Sequence, residues 1–126
     1  MHKYTLQELE SIAQKFSSEI HPPYTILLEG EVGAGKTTFS QFFLTNILLD
    51  KNQPVTSPTF NIVQIYETIK GPVWHVDLYR LKSENEIFDL GLLEAMHDCI
   101  CLIEWPELIR PFISNCNHSV LKLSMD

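Results

Sequence analysis

The sequence predicts an α/β fold in which a mixed central sheet is flanked by helices, and three neighbouring patterns support this prediction. A short apolar run at 24–28 follows two prolines and has the composition of a buried strand. A glycine-rich stretch at 30–35 comes directly after it. Apolar residues then recur at helical spacing between 39 and 48. Strand, glycine-rich loop and helix in this order are the beginning of an α/β domain.

The glycine-rich stretch has the pattern G-x-x-x-x-G-K-[ST], with Gly30, Gly35, Lys36 and Thr37 at the defining positions. Glycines allow backbone angles that a Cβ forbids, so the loop can wrap a phosphate chain and turn its N–H groups inward. The helix that begins near Lys36 adds the positive end of its dipole. We therefore predict a nucleotide-phosphate loop, with Lys36 on the β- and γ-phosphates and Thr37 as a magnesium ligand. The candidate nucleotide contacts are Glu31, Val32, Gly33, Ala34, Gly35, Lys36, Thr37 and Thr38.

Two acidic residues stand at the ends of apolar runs that have the character of strands. Asp77 follows the run at 73–76, and Glu104 follows the run at 100–103. An acid at the end of a strand beside the phosphate loop is what a second magnesium contact requires. We predict that Asp77 and Glu104 form the acidic part of the metal site, one of them directly and the other through a water molecule. The sequence leaves open which is which.

Three further residues have two interpretations each. Thr59 lies in a segment between the first phosphate-loop helix and the next strand, where it either senses the γ-phosphate or sits in a plain proline turn. His75 is interpreted as a strand histidine with satisfied hydrogen bonds rather than as a catalyst. Trp105 either stacks on a ligand or partner or covers the core.

Composition limits the classes of function. A chain of 126 residues is predicted to form a single domain over residues 1–126. Its formal net charge of −7 argues against independent binding of nucleic acid, which needs clustered Lys and Arg. No apolar run approaches the ~20 residues of a membrane helix and no signal-peptide core is present, so we expect a cytoplasmic protein without membrane contacts. The three cysteines have neither disulfide-framework nor zinc-site spacing.

The remaining elements are predicted in chain order. A capping box at Thr5 and Glu8 opens a first helix that ends before the prolines at 22–23. Its apolar stripe is Leu6, Leu9, Ile12, Ala13, Phe16 and Ile20. Strands are expected at 60–66 and 73–77, joined as a hairpin by a turn at Gly71-Pro72. Two short helices are expected within 83–96, a buried strand at 99–103 and a last edge strand at 119–123.

Taken together, four segments resemble the TsaE family, the small bacterial ATPase of tRNA threonylcarbamoyladenosine synthesis. They stand in the family's order and spacing at 30–38 (GEVGAGKTT), 57–60 (SPTF), 75–81 (HVDLYRL) and 103–106 (IEWP). The resemblance extends over about residues 5 to 107 and is far more specific than the phosphate loop alone.

The resemblance implies a magnesium-dependent ATPase that uses ATP and produces ADP. It implies that the protein acts together with the threonylcarbamoyl-transferase subunit and its paralogous partner in the modification of adenosine 37 of tRNAs that read ANN codons. It also implies that the protein contacts tRNA only through those partners. It also implies roles for matching positions: Lys36 and Thr37 on phosphate and magnesium, Asp77 and Glu104 as the acidic pair, Thr59 in a switch-like loop, and Tyr4 and Thr5 near adenine.

Two other functions compete with an ATPase. A small-molecule kinase usually supplies several arginines from a lid, whereas this chain has only Arg80 and Arg110. A non-enzymatic nucleotide-sensing adaptor is the stronger rival, because slow hydrolysis and switching have the same sequence pattern. A regulatory GTPase would need the guanine-specific motif Asn-Lys-x-Asp, which is absent from the sequence.

For the protein without nucleotide, we expect the Lys36 side chain to face solvent.

Overall fold

The computed structural model describes residues 3–31, 34–56, 58 and 62–124. Its strands, in chain order, are β1 Tyr24–Glu29, β2 Val63–Thr68, β3 Gly71–Asp77, β4 Ile100–Glu104 and β5 His118–Lys122. They form one sheet in the order β2-β3-β4-β1-β5. Strands β3, β4, β1 and β5 run parallel, and β2 pairs antiparallel with β3 as the outer arm of a hairpin. The carboxyl ends of β1, β3 and β4 therefore meet at one edge of the sheet.

Helices cover both faces of this sheet. They are α1 Leu6–Glu19, α2 Lys36–Ile47, α3 Glu84–Leu90 and α4 Leu92–Asp98, followed by 3₁₀ segments at Pro106–Leu108 and Arg110–Asn115. Apolar side chains of α1 and α2 pack with one face of β1 and β4. Those of α3, α4 and the 3₁₀ segments pack with the opposite face. The α/β class, with a mixed central sheet flanked by helices, is confirmed.

Several predicted boundaries are wrong by a few residues. The hairpin turns at Ile69-Lys70, and Pro72 lies inside β3 opposite Glu67 rather than in the turn. Pro72 is tolerated because it precedes Val73, where β3 begins to pair with β4, so the ladder with β4 needs no N–H from it. Leu6 belongs to the predicted apolar stripe of α1 but is 56% exposed. Leu6 is the first residue of α1, and burial along the helix begins only at Leu9.

The helix termini are satisfied partly by local and partly by distant groups. The predicted capping box is present, since the Thr5 hydroxyl accepts the Glu8 N–H at 3.1 Å and Glu8 accepts the Thr5 N–H at 3.0 Å. At the other end, α1 has no basic residue in its last turn. The ammonium of Lys70, from the distant hairpin, instead donates to the carbonyls of Ser18 at 3.0 Å and Ile20 at 2.6 Å. Burial lowers the pKa of Lys70.

Replacing Lys70 with methionine is expected to destabilise the fold by about 1 kcal/mol, because the C-terminal carbonyls of α1 lose a cationic donor. For a domain of this size, the thermal midpoint should fall by roughly 4 °C. Differential scanning calorimetry measures this shift. The matched control is Lys15→Met, which removes one exposed lysine from the same helix. Equal midpoints for the two variants would show that the cap contributes nothing.

Two further properties bear on the predictions from sequence. In the described part of the chain, no helix is long and apolar enough to cross a membrane. The three cysteines are free thiols; Cys101 is buried, while Cys99 is only half-buried.

Candidate nucleotide site

The phosphate loop begins where β1 ends, and its first glycine has no room for a side chain. Gly30 has a φ of +148°, and a Cβ there would lie 2.6 Å from the Leu123 carbonyl oxygen and 2.7 Å from the Ala34 Cβ. Gly35, at a φ of 101°, is the residue from which α2 starts. The glycines of the motif are thus required by the backbone itself. Val32 and Gly33 lie outside the described residues.

Lys36, the first residue of α2, does not face solvent as expected from the sequence. Only 5% of it is exposed. Its ammonium donates to the Gly30 carbonyl and lies 3.4 Å from the centre of the Trp105 ring, a cation–π contact. Burial lowers the pKa of Lys36, although the charges of nearby acids, chiefly Glu104, oppose this effect. The prediction was wrong because the loop and the indole together form a cover over the lysine.

The fold brings together Thr37 and Glu104, which lie in the first and the last of the four sequence motifs. The Thr37 hydroxyl donates to the Glu104 carboxylate, at 3.2 Å from Oε1 and 3.3 Å from Oε2. Glu104 is buried, and its Oε2 is also 2.7 Å from the Nε2 of His75. The first turn of α2 is thereby linked to the ends of β4 and β3.

Asp77 ends β3 at the position that pairs in register with Glu104 on the parallel strand β4. Its Oδ1 accepts the Tyr79 N–H at 2.9 Å. Burial raises the pKa of Asp77, the Tyr79 hydrogen bond acts against this, and the Glu104 charge adds to it. The two predicted acids therefore lie side by side at one sheet edge, as their strand ends indicated.

The side chains at this edge offer the donors that magnesium prefers. Thr37, Asp77 and Glu104 supply hydroxyl and carboxylate oxygens, so this donor set fits a hard cation. Within the described ranges, no three or more His, Cys, Asp and Glu side chains are grouped so that they could hold a metal by themselves. Magnesium commonly uses one or two carboxylates together with substrate phosphates, so the two findings are compatible. Metal binding stays a prediction.

Trp105 covers the phosphate-loop lysine rather than the apolar core. Its φ of 56° is in the left-handed region, which is unusual for a residue with a side chain. Its ring lies 4.8 Å from the ring of Tyr79, centre to centre, and on the Lys36 ammonium. Backbone strain of this kind persists where surrounding contacts enforce it, and it is common at ligand sites. The indole is placed at the rim of the candidate site.

Hydrogen bonds to the carboxyl-terminal residues connect the amino-terminal segment with the start of the phosphate loop. The Tyr4 N–H donates to the Ser124 carbonyl at 2.8 Å, and the Leu123 N–H donates to the Glu29 carbonyl at 2.8 Å. Because Ser124 follows Leu123 and Glu29 precedes Gly30, these two hydrogen bonds connect Tyr4 with the start of the phosphate loop. Thr5, the next residue, is the N-cap of α1. A contact of Tyr4 or Thr5 with adenine stays a prediction.

The other predicted residues are less informative. The exposed Glu31 accepts the Ala34 N–H through its carbonyl at 2.9 Å, and Thr38 is half-buried in the first turn of α2. Thr59 falls outside the described residues, so its switch-like role is untested.

Sequence reasoning missed two contacts in this region. His75 was interpreted as a satisfied strand histidine, yet it binds Glu104 through Nε2 while its buried Nδ1 has no partner among the described residues. Alternation along β3 carried the signal, since residues 75 and 77 must share a face. The second is an ion pair between Glu29 and Arg110, which joins the end of β1 to the second 3₁₀ segment. No sequence pattern indicated it.

Strand β1, a glycine loop, α2 with Lys36 and Thr37 at its start, and acids on adjacent strand ends define a P-loop nucleotide-binding fold. The structure is similar to the crystal structure of YdiB from Bacillus subtilis, with a TM-score of 0.66 and 29% identity. The match covers 98% of this chain and 76% of YdiB.

The particular family follows from the sequence profile described as threonylcarbamoyl adenosine biosynthesis protein TsaE, which matches residues 4–126. The chain belongs to the TsaE family. It is 40% identical over 108 residues to the tRNA threonylcarbamoyladenosine biosynthesis protein TsaE of Rickettsia prowazekii, covering 86% of this chain and 74% of that protein. The protein of the same name from Bacillus subtilis is 39% identical over 105 residues, which is 82% of this chain and 64% of the relative.

Proposed function

We propose that this protein is a magnesium-dependent ATPase that supports threonylcarbamoyl transfer to adenosine 37 of ANN-decoding tRNAs in the cytoplasm. In this proposal it binds and cycles ATP on a complex of the transferase subunit and its paralogous partner. Membership of the TsaE family supports the pathway. The observation that carries the ATPase activity is the hydrogen bond from Thr37 to Glu104, because it joins the phosphate loop to an acidic strand end.

The phosphate-binding part of the site consists of the loop backbone, the start of α2 and Lys36. For the ammonium to reach a β- or γ-phosphate, it must exchange the Gly30 carbonyl and the Trp105 ring for phosphate oxygens. The Gly30 carbonyl and the Trp105 ring each bind a cation more weakly than a phosphate does. ATP binding is thus expected to release Trp105 from Lys36 and to change the rim of the site.

The metal-binding part would be held by Thr37, Glu104 and Asp77. Bound Mg²⁺ supplies a Lewis acid that offsets charge on the transferred phosphoryl group. The Thr37 hydroxyl donates a hydrogen bond to Glu104, which leaves the lone pairs of the hydroxyl oxygen available for a cation. Asp77 adds a second carboxylate at the neighbouring strand end.

Hydrolysis by the isolated protein is expected to be slow. P-loop enzymes gain a factor of roughly 10³–10⁵ from an arginine placed against the developing charge. The sequence contains two arginines: Arg80, three residues after Asp77, could serve, but Arg110, which pairs with Glu29, is not close to a motif. With a net charge of −7, the chain is also unsuited to holding tRNA by itself. Both features favour a partner that completes the site.

Single-turnover ATP cleavage tests this proposal. Adding the transferase subunit and its paralogous partner should raise the cleavage rate at least tenfold over that of the protein alone. Thr59→Ala or Trp105→Ala should remove this increase, because we propose that the switch-like segment of Thr59 and the indole of Trp105 take part in the contact with the partners. ATP binding, measured by calorimetry, should persist in both variants.

The control for the rim is Ile65→Ala, an exposed apolar residue on the outer strand β2 far from the loop, which should leave the stimulation intact. Fast cleavage by the protein alone, indifferent to the partners, would contradict the proposal. ATP binding without cleavage, even with the partners present, would favour the nucleotide-sensing adaptor.

A further inference from the structure

His75 is a buried polar residue whose hydrogen bonds are unequally satisfied. None of its surface is exposed. Its Nε2 lies 2.7 Å from Glu104 Oε2, whereas its Nδ1 is buried without a partner in the described part of the chain. An unpaired buried nitrogen is unfavourable, and an apolar strand residue would avoid it. Among the described residues, the side-chain hydrogen bond that the structure shows for His75 is the one with Glu104, and this contact is where we look for its role.

The geometry of Glu104 indicates what that role is. Thr37 contacts the two carboxylate oxygens almost equally, at 3.2 Å and 3.3 Å. The terminal torsion of a glutamate is broad, so a donor placed between both oxygens does not fix the plane of the carboxylate. His75 contacts Oε2 alone and makes the two oxygens inequivalent.

We propose that His75 is a positioning residue that fixes the Glu104 carboxylate in the orientation used for metal binding. Its Nε2–H donates to Oε2, which commits that oxygen and leaves Oε1 for the cation or a water bound to it. The arrangement corresponds to the outer-shell partners that orient ligands in known metal sites. His75 and Asp77 occupy the same face of β3, so one strand both supplies an acid and orients the other. This inference rests on the proposed magnesium site.

The protonation of His75 can be observed in the nucleotide-free protein. Long-range ¹H–¹⁵N correlation spectra of ¹⁵N-histidine-labelled protein distinguish the ring nitrogens, and His75 should carry a proton on Nε2. The resonance of this ring should be absent from the spectrum of His75→Leu, which assigns it. A ring without a proton on Nε2 would overturn the inference, since it could not donate to Glu104.

Metal affinity tests the positioning role. Electron paramagnetic resonance of free Mn²⁺, titrated into the protein with ADP, should give an affinity about tenfold weaker for His75→Leu than for the parent. His75→Gln keeps an amide donor at a similar reach and should restore the affinity to within about threefold of the parent. ADP affinity without metal should be the same in all three proteins.

Thr25→Val is the matched control for a general loss of buried polarity. The Thr25 hydroxyl is also buried without a partner among the described residues, on strand β1, which lies on the other side of β4 from β3. This variant should bind Mn²⁺ like the parent. If the parent binds Mn²⁺ and the leucine variant, folded by circular dichroism, binds it equally well, the positioning role is wrong while the metal site stands. If the parent with ADP binds no more Mn²⁺ than ADP alone does, the proposed metal site itself fails, and the inference with it.

Discussion

Lys36→Ala is expected to weaken ATP binding about ten- to hundredfold while the protein still folds. The ammonium would make a charge-assisted contact with phosphate, and such contacts contribute roughly 1.5–3 kcal/mol. The burial of Lys36 makes this effect smaller than it would be for a lysine without other contacts. The ammonium must leave the Gly30 carbonyl and Trp105 before it binds phosphate, which offsets part of its affinity for phosphate. Isothermal titration calorimetry with ATP measures the change.

The control for this variant is Lys70→Met, which removes another lysine that donates to backbone carbonyls. It lies on the β2–β3 hairpin, away from the phosphate loop, and should lower stability without changing ATP affinity. Lys36→Met retains the apolar stem beneath Trp105 and separates the loss of charge from the loss of packing. Unchanged ATP affinity in both Lys36 variants would refute the phosphate-loop assignment.

Glu104→Ala is expected to lower single-turnover ATP cleavage by about a hundredfold and to weaken ADP binding only a few-fold. Outer-shell substitutions at metal sites commonly cost 10- to 100-fold, and we expect the loss of Glu104, whether it would bind the metal directly or through a water, to reach the upper end of that range. ADP lacks the γ-phosphate, so it depends more on the loop and less on the acidic strand ends. Rapid-quench measurement of cleavage with the partners present, beside calorimetry with ADP, separates the two quantities.

Glu107→Ala is the matched control, because Glu107 is an exposed acid close enough for its charge to act on Lys36. Its removal should change cleavage much less. In the parent protein, Mn²⁺ in place of Mg²⁺ should broaden NMR signals near both Asp77 and Glu104. An Mn²⁺ affinity that is unchanged in Asp77→Asn would assign Asp77 a structural role at the end of β3. Equal losses of cleavage and ADP binding in Glu104→Ala would argue against a role specific to the reaction.

The elements with strong local signals were predicted most accurately. The capping box at Thr5 and Glu8, the phosphate-loop glycines and the pairing of short helices around Gly91 depend on neighbours in sequence. Turn positions were less accurate, since Gly71-Pro72 has turn composition yet begins β3. Pairing with β2 set the position of that turn, and no local pattern contains the register of a partner strand.

The candidate site shows the same division. Sequence motifs predicted Lys36, Thr37, Asp77 and Glu104 as site residues, because each residue type at its strand end or helix start has a chemical purpose that spacing can indicate. That Asp77 and Glu104 would be neighbours followed from parallel strands, once both were assigned to strand ends. The environment of each side chain could not be predicted in this way. The cover of Trp105 over Lys36 depends on a left-handed backbone angle that only the folded chain imposes.

The sequence by itself determined the fold class, the phosphate loop, the acidic strand ends and the resemblance to the TsaE family, because these are encoded by residue type and spacing over short distances. Only the tertiary structure decided that Lys36 is buried, that His75 holds one oxygen of Glu104, and that Lys70 caps a helix about fifty residues before it in the chain. The physical reason is that hydrogen bonds and burial depend on which distant segments meet. That outcome is set by packing of the whole sheet and its helices, and no segment carries it alone.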